Sequence, residues 1–460
     1  MMKRFILPVV LVLSLTAIST AWCQYIESVE EITAGNFFGY GARQMAMGGA
    51  GLMTNDGTAL FYNPANLARI PRIEFLLGMS HQKYRDEASL RPIRKIVNFN
   101  SVIPEVDVFS GRFESFVPLS GSVDDSKTNT RLNSAIISIP YPTYRGSLVL
   151  GIGVVRTADF DRIFSLYHRD TSAAGSITAS AKEFQSGGLY QWGFGAGMDL
   201  SPKISCGATV YLYTGKHEYN WEYNLDSLQA LTYHSQQYIE DSYLGIGGKV
   251  GLAVQMSPYF GLGLAMETPA VLSVDENSNS SFTLEDTGYV SEETANYVEY
   301  DVKKPFVFSA GLMSRFKDAT LEMDIDYTDW SQLSYGGNVE MEKENSKIKS
   351  YYRDALRFRA GCEYVFPALG LSLRGGYFTD PLPFKEEFQN KSRFGYTFGL
   401  GLLIDQVMTI DLAYMHGSYG RNSDFLYSTV YNNEAGRYHY LVVDEDITYN
   451  RLFLTAAYRF

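Results

Sequence analysis

Residues Ala319 to Thr328 read ATLEMDIDYT, with Ala319, Leu321, Met323, Ile325 and Tyr327 alternating strictly with Thr320, Glu322, Asp324, Asp326 and Thr328. Side chains of a strand point alternately to its two faces, so this period of two gives one apolar and one polar face. The last residues behave alike: Leu452, Leu454, Ala456, Tyr458 and Phe460 oppose Arg451, Phe453, Thr455, Ala457 and Arg459. In FGYTFGLGLLI, Phe394, Tyr396, Phe398, Leu400, Leu402 and Ile404 share a face, and Gly395, Thr397, Gly399 and Gly401 share the other.

Fourteen segments read as strands: 72–80, 132–140, 147–156, 189–199, 203–213, 243–255, 259–267, 305–316, 319–329, 355–365, 369–378, 394–404, 408–416 and 449–460. Most approach the ~9–11 residues of a tilted membrane-crossing strand. In a soluble sandwich their apolar faces would meet a second sheet, whereas in a closed barrel they face lipid. The connections decide. DLSPK, MSPY, FKD, FPALG and DQV are tight turns, but 214–242, 268–304, 330–354, 379–393 and 417–448 are long and polar. Short turns at one end and long loops at the other are the outer-membrane arrangement. The expected fold class is therefore all-β, a transmembrane antiparallel β-barrel of about 14 strands with outer-membrane lipid around it. The chain stops on Phe460, like the terminal strand signal that barrel-assembly machinery reads.

The amino terminus fits that location. MMKR is a basic n-region, FILPVVLVLSLTAIS an apolar h-region, and Ala21-Trp22-Cys23 resembles a signal-peptidase site, so residues 1–23 read as a signal peptide. The apolar run is shorter than the ~20 residues of a spanning helix. The formal charge of −12 becomes −14 once Lys3 and Arg4 are removed, which argues against nucleic acid as a partner. An aromatic content of 14%, from 34 Tyr, 28 Phe and 4 Trp, favours strands over helices. Cys206 and Cys362, each in a strand, read as small apolar fillers rather than a disulfide framework.

A fourteen-stranded barrel is too wide for its wall side chains to fill. Residues 24–71 precede the first strand and cannot face lipid, where unpaired backbone groups are too costly. Their small residues Ala46 to Gly51 (with Gly48 and Gly49), the Asp56-Gly57 turn and the Asn63-Pro64-Ala65 step suit a compact plug folded into the lumen. The expected organisation is thus signal peptide 1–23, amino-terminal hatch 24–71 and barrel 72–460.

The stretch GARQMAMGGAGLMTNDGTALFYNPANLA resembles the amino-terminal hatch of the FadL/TodX family, outer-membrane transporters for long-chain fatty acids and other hydrophobic compounds. The resemblance continues in DYTDWSQL, LRFRAGCEYVF, LSLRGGYFTDPLP and FGLGLLIDQVMTIDLAYMHG, and so covers the start and the last third of the chain. It implies a channel for passive uptake of hydrophobic small molecules, with ligand captured by outward loops and passed to a pocket near the hatch. A more distant likeness, through the GGA…NPA pattern, is to barrels that include secretion-system shuttle proteins. It implies the alternative, a binding or scaffolding barrel that serves secretion or adhesion.

The polar faces describe the lumen. Glu322, Asp324 and Asp326 point inward from one strand, Arg357 and Arg359 from the next, and Arg374 from the one after. Adjacent strands bring such residues within pairing distance, so they read as a charge ladder holding lumen and hatch together. Alternatively, Arg374 meets a substrate carboxylate, since arginine suits planar anions. The loop EYNWEYNLDSLQALTYHSQQY carries Trp221, Leu225, Leu228 and Leu231, and the leucine spacing fits one side of a helix. The resemblance implies that this loop takes part in ligand capture, the alternative being a long loop packed on itself. The six histidines show no metal-ligand spacing, and Tyr233-His234-Ser235 has no oriented acid for a triad. No enzymatic activity, metal or cofactor is expected.

Overall fold

The two faces of Ala319–Asp329 set the inside and outside of the molecule. Thr320, Glu322, Asp324, Asp326 and Thr328 are buried within it, whereas Leu321 and Met323 are each 52% exposed on the outside. A computed structural model of the protein describes residues 39–95, 123–144, 146–172, 175–227, 231–284, 289–290, 294–385, 391–432 and 437–460. The expected signal peptide and the first part of the expected hatch lie outside these residues.

In chain order the wall strands are β1 Glu74–Lys95, β2 Val123–Tyr141, β3 Leu148–Asp159 with its continuation Arg162–Ser172, and β4 Gly175–Ser201. Then come β5 Ile204–Ser227, β6 Leu231–Gln255, β7 Phe260–Glu267 continued by Val271–Leu284, and β8 Thr294–Lys303 continued by Val307–Phe316. They are followed by β9 Ala319–Asp329 extended by Ser334–Gly336, β10 Asp354–Phe366, β11 Leu371–Thr379, β12 Lys391–Ile404, β13 Met408–Asn432 and β14 Arg437–Arg459. Each pairs antiparallel with the next, and β1 pairs with β14 from Glu74↔Arg459 onward, which closes a fourteen-stranded barrel. Pro269 and Pro305 fall in the interruptions of β7 and β8, where a residue without an N–H cannot continue the ladder.

The tight turns at 202–203, 256–259, 317–318, 367–370 and 405–407 share one end with the start of β1 and with Phe460. The other end differs from the expectation. Residues 214–242, 268–304 and 417–448 are mostly strand, not loop. The physical reason lies in an inverted alternation. Within the wall, β5 turns Val210 and Leu212 outward, but further on it turns out Lys216, Glu218, Asn220 and Glu222 and buries His217, Tyr219 and Trp221. A strand that leaves lipid for water needs polar groups outside, so the apolar-out test misses it. The connection 330–354 holds a helix at Val339–Tyr351, whose first turn is capped by Asn338 accepting from the N–H of Glu340 and Met341. Cys206 and Cys362 are free, and Cys362 is exposed on the outer face rather than filling a core.

Candidate functional site

The wall encloses the segment from Gly39 to Ile70, which answers why an apolar, irregular stretch stands so early in the chain. A short helix at Ala42–Ala46 faces β11, β12, β13 and β14, whereas the 3-10 turn at Pro64–Arg69 faces β3, β4, β5 and β6 across the lumen. Leu60, Phe61, Leu67 and Ile70 are almost wholly buried there. Irregular backbone is admissible at this depth because protein surrounds it.

Inward glycines of the wall make the room. Gly361 and Gly376 lie against Met47 and Gly48, so a Cβ on either would run into that backbone. Gly399, from the small face of FGYTFGLGLLI, leaves room for the Ala46 methyl group. Gly48 and Gly49 have φ of 72° and 80°, the left-handed region that favours glycine. They let the chain reverse under β11 and β12, where Thr397 accepts from the Gly48 N–H and donates to the Ala46 carbonyl, both at 2.9 Å.

Wall carboxylates hold the segment through its backbone. Asp324 accepts from the N–H groups of Gly51 at 2.7 Å and Leu52 at 3.0 Å, and Glu322 accepts from Met53 at 2.8 Å. Glu74 accepts from Gly57 at 2.6 Å. Lys249 donates to the Phe61 carbonyl at 2.7 Å. Asp56 organises its own turn, accepting from the Thr58 N–H and the Gln44 amide. Asn63 accepts from the Ala65 N–H at 3.2 Å and donates to Leu52 and, in the adjoining wall, to Leu252 of β6. Pro64 and Ala65 follow, with Pro64 packed against Gly207 of β5.

The inward charges therefore divide differently from a simple ladder between β9 and β10. Arg359 pairs with Asp326, but Arg357 pairs with Asp380, and Glu322 and Asp324 serve the segment's N–H groups. Arg374 lies between Glu363 at 2.7 Å and Asp411 at 2.6 Å, and Arg43 of the segment shares Glu363. Such buried guanidinium–carboxylate pairs order both partners in one geometry. Leu225 and Leu231 lie in β5 and β6 rather than on a helix, and Leu228 is outside the described residues. Trp221 is buried with Tyr219 and Ile239 inside the upper barrel. Among the described residues no group of three His, Cys, Asp or Glu is placed to hold a metal ion.

Among the described residues, the wall breaks beside this segment between β2 and β3. β2 and β3 pair only from Tyr141↔Leu148 to Ser134↔Val155. Beyond that, β2 continues along β1, while β3 stays with β4, turns at Phe160 and Asp161, and resumes at Arg162. Side chains bridge the separated edges. Asp161 accepts from Asn129 at 2.6 Å and pairs with Lys127 and Arg131, each at 2.9 Å. The break begins level with Leu132, an outward apolar residue of β2. Sequence reading does not locate it.

A closed, apolar-coated barrel with a segment clamped in its lumen defines a class, the outer-membrane transport barrels. The family model described as outer membrane protein transport protein (OMPP1/FadL/TodX) matches residues 188–442, more than half of the chain. The chain belongs to this family and resides in the outer membrane. Solved structures with the same fold include a Pseudomonas aeruginosa FadL homologue (TM-score 0.59, 14% identity, covering 93% of this chain and 100% of that one). The toluene transporter TodX of P. putida follows (0.56, 15%, 92% and 99%), as does the CymD monoaromatic hydrocarbon channel (0.52, 15%, 93% and 99%). No curated protein sequence matches the chain.

Proposed function

We propose that the protein is a passive channel for hydrophobic small molecules of long-chain-fatty-acid type, with residues 24–71 as its hatch and 72–460 as its barrel. The observation that carries this reading is the clamped segment itself. It blocks the straight route down the lumen while the wall beside it lacks its backbone ladder between β2 and β3. A ligand stopped by the hatch then has a sideways exit, closed at rest by Asp161 and its three partners.

Trp221 supplies apolar surface within the upper barrel. The gating residues are Gly48, Gly49, Asp56, Asn63, Pro64 and Ala65, which shape the hatch and tie it to the wall. Arg374, held between Glu363 and Asp411, is part of the charge network that fixes the lumen and is not a carboxylate-binding site for the ligand. The toluene and monoaromatic cargo of the related channels supports an apolar ligand.

The test joins purification to locking. Protein extracted from outer membranes should carry hydrophobic ligand detectable by mass spectrometry, and vesicles should take up a fluorescent fatty acid through it. Joining Asn129→Cys to Asp161→Cys by oxidation should stop that uptake, and reduction should restore it. A preparation that holds a stoichiometric protein partner, carries no hydrophobic ligand and shows no uptake would instead establish the scaffold.

A further inference from the structure

We infer that the outer face of the extracellular strand extensions carries a binding site for a neutral saccharide, the head-group sugars of outer-leaflet glycolipid. A cavity of about 400 Å³ opens across β4, β5, β6 and β7. Register places its residues in two rows: Phe184, Asn220, Tyr238 and Asn279 lie side by side, and Lys182, Glu222, Gln236 and Ser281 form the row beyond. These positions have outward parity, opposite to the buried Tyr219, Trp221 and Ile239. Trp221 and Gln237, between these positions in sequence, complete the lining, and the cavity opens on the outer face through the exposed Asn220, Glu222, Gln236 and Tyr238.

Its chemistry selects the ligand class. Tyr238 offers a ring face to the apolar side of a sugar, and its hydroxyl donates to Glu240 at 3.1 Å, which fixes that ring, whereas the Phe184 ring is taken by Lys127, whose Nζ lies 4.0 Å from its centroid. Asn220, Gln236 and Asn279 supply paired donors and acceptors of the kind that match vicinal hydroxyls. An acyl chain would desolvate these amides without replacing their hydrogen bonds. Lys182 and Glu222 are cross-strand neighbours of opposite sign, so the row offers no net charge to a phosphate. The volume lies at the small end of ligand pockets, with room for a mono- or disaccharide.

Height selects the source. Asn220 and Glu222 stand eight and ten residues beyond Leu212, the last large apolar outward residue of β5, and Tyr238 stands six residues before Leu244 on β6. At about 3.3 Å per residue and a tilt of about 40°, that is roughly 15–25 Å above the apolar band. Glycolipid sugars occupy this zone, around the whole barrel and at high local concentration.

The test uses the full protein in detergent, with delipidated and dephosphorylated core oligosaccharide of a rough-type lipopolysaccharide as probe. Saturation-transfer NMR and calorimetry should register millimolar binding. Tyr238→Ala and Asn279→Ala should each weaken it more than fivefold, whereas Tyr238→Phe should retain it, and all three should keep a heat-resistant barrel and parental uptake of hydrophobic probe. Absence of binding, equal binding by Tyr238→Ala, or binding that requires the phosphates would each overturn the inference. Hydrophobic uptake is read separately, so failure here leaves the channel reading standing.

Discussion

Asp324 is the sharpest point at which to test whether the amino-terminal segment is a hatch held by its backbone. Its carboxylate is fully buried and accepts two N–H groups, from Gly51 and Leu52. Hydrogen bonds to a charged acceptor contribute about 1.5–3 kcal/mol each, so Asp324→Ala removes at most about 3–6 kcal/mol from the seated state. Part of this returns, because the freed N–H groups of an unseated segment are hydrated. A net loss of about 3 kcal/mol is the working figure, roughly a hundredfold in the ratio of unseated to seated hatch at 1.4 kcal/mol per tenfold. Glu322, Glu74 and Thr397 still hold their own stretches. The variant should therefore flicker open in planar bilayers rather than become a permanent pore, with open probability raised by about two orders of magnitude. Asp324→Asn keeps one acceptor oxygen without the charge and should fall between. The wall is spared, since the backbone ladder of β9 does not use this side chain. A heat-resistant Asp324→Ala barrel with the parental open probability would refute the reasoning.

Deleting residues 39–66 removes the lumen filling altogether, so single-channel conductance should become large and continuous while the barrel still assembles. Cysteines placed at Ser280 and Lys343 should react with an impermeant thiol reagent on intact cells, and one at Pro202 should not, because loop parity puts them at opposite ends. Burial beside Asp241 raises the Glu276 carboxyl to about 8, five residues past Val271, the last outward apolar residue of β7. A raised carboxyl pKa favours the protonated native state, so its stabilisation is complete below about pH 4.5 and is lost as pH rises through about 8. Protease resistance of the upper strands should fall over that window, and Glu276→Gln should flatten the dependence.

The fold was legible because lipid enforces one rule on every wall strand. Leu321, Met323, Ile325 and Tyr327 must face outward, and the residues between them are then free to be polar, charged or glycine. The same rule hid the upper strands. Above the band, His217, Tyr219 and Trp221 turn inward and Lys216, Glu218 and Asn220 outward, so the period of two persists with its sign reversed. Read for alternation alone, the segment 214–227 would have shown as strand. The leucine spacing at 225, 228 and 231 points to a helix only when the alternating aromatic residues before it are left aside.

Within the lumen the limit is of another kind. The sequence pattern identified Glu322, Asp324 and Asp326 as inward acids and supplied Arg357 and Arg359 as partners on the next strand. Only Asp326 takes an arginine from that pair, and the other two acids meet Gly51, Leu52 and Met53 through the peptide N–H. A backbone donor carries no side-chain identity, so no residue type marks it. Two indirect marks remain in the sequence. Three acids facing two arginines leave an acid unassigned, and a run such as MGGAGLM, with glycines able to take positive φ, exposes successive N–H groups as an anion-binding concavity. An unassigned lumen acid and a glycine-rich early segment thus predict each other in a wide barrel. The arginines released from that duty account for the rest of the network, with Arg357 drawn to Asp380 and Arg374 to Glu363 and Asp411.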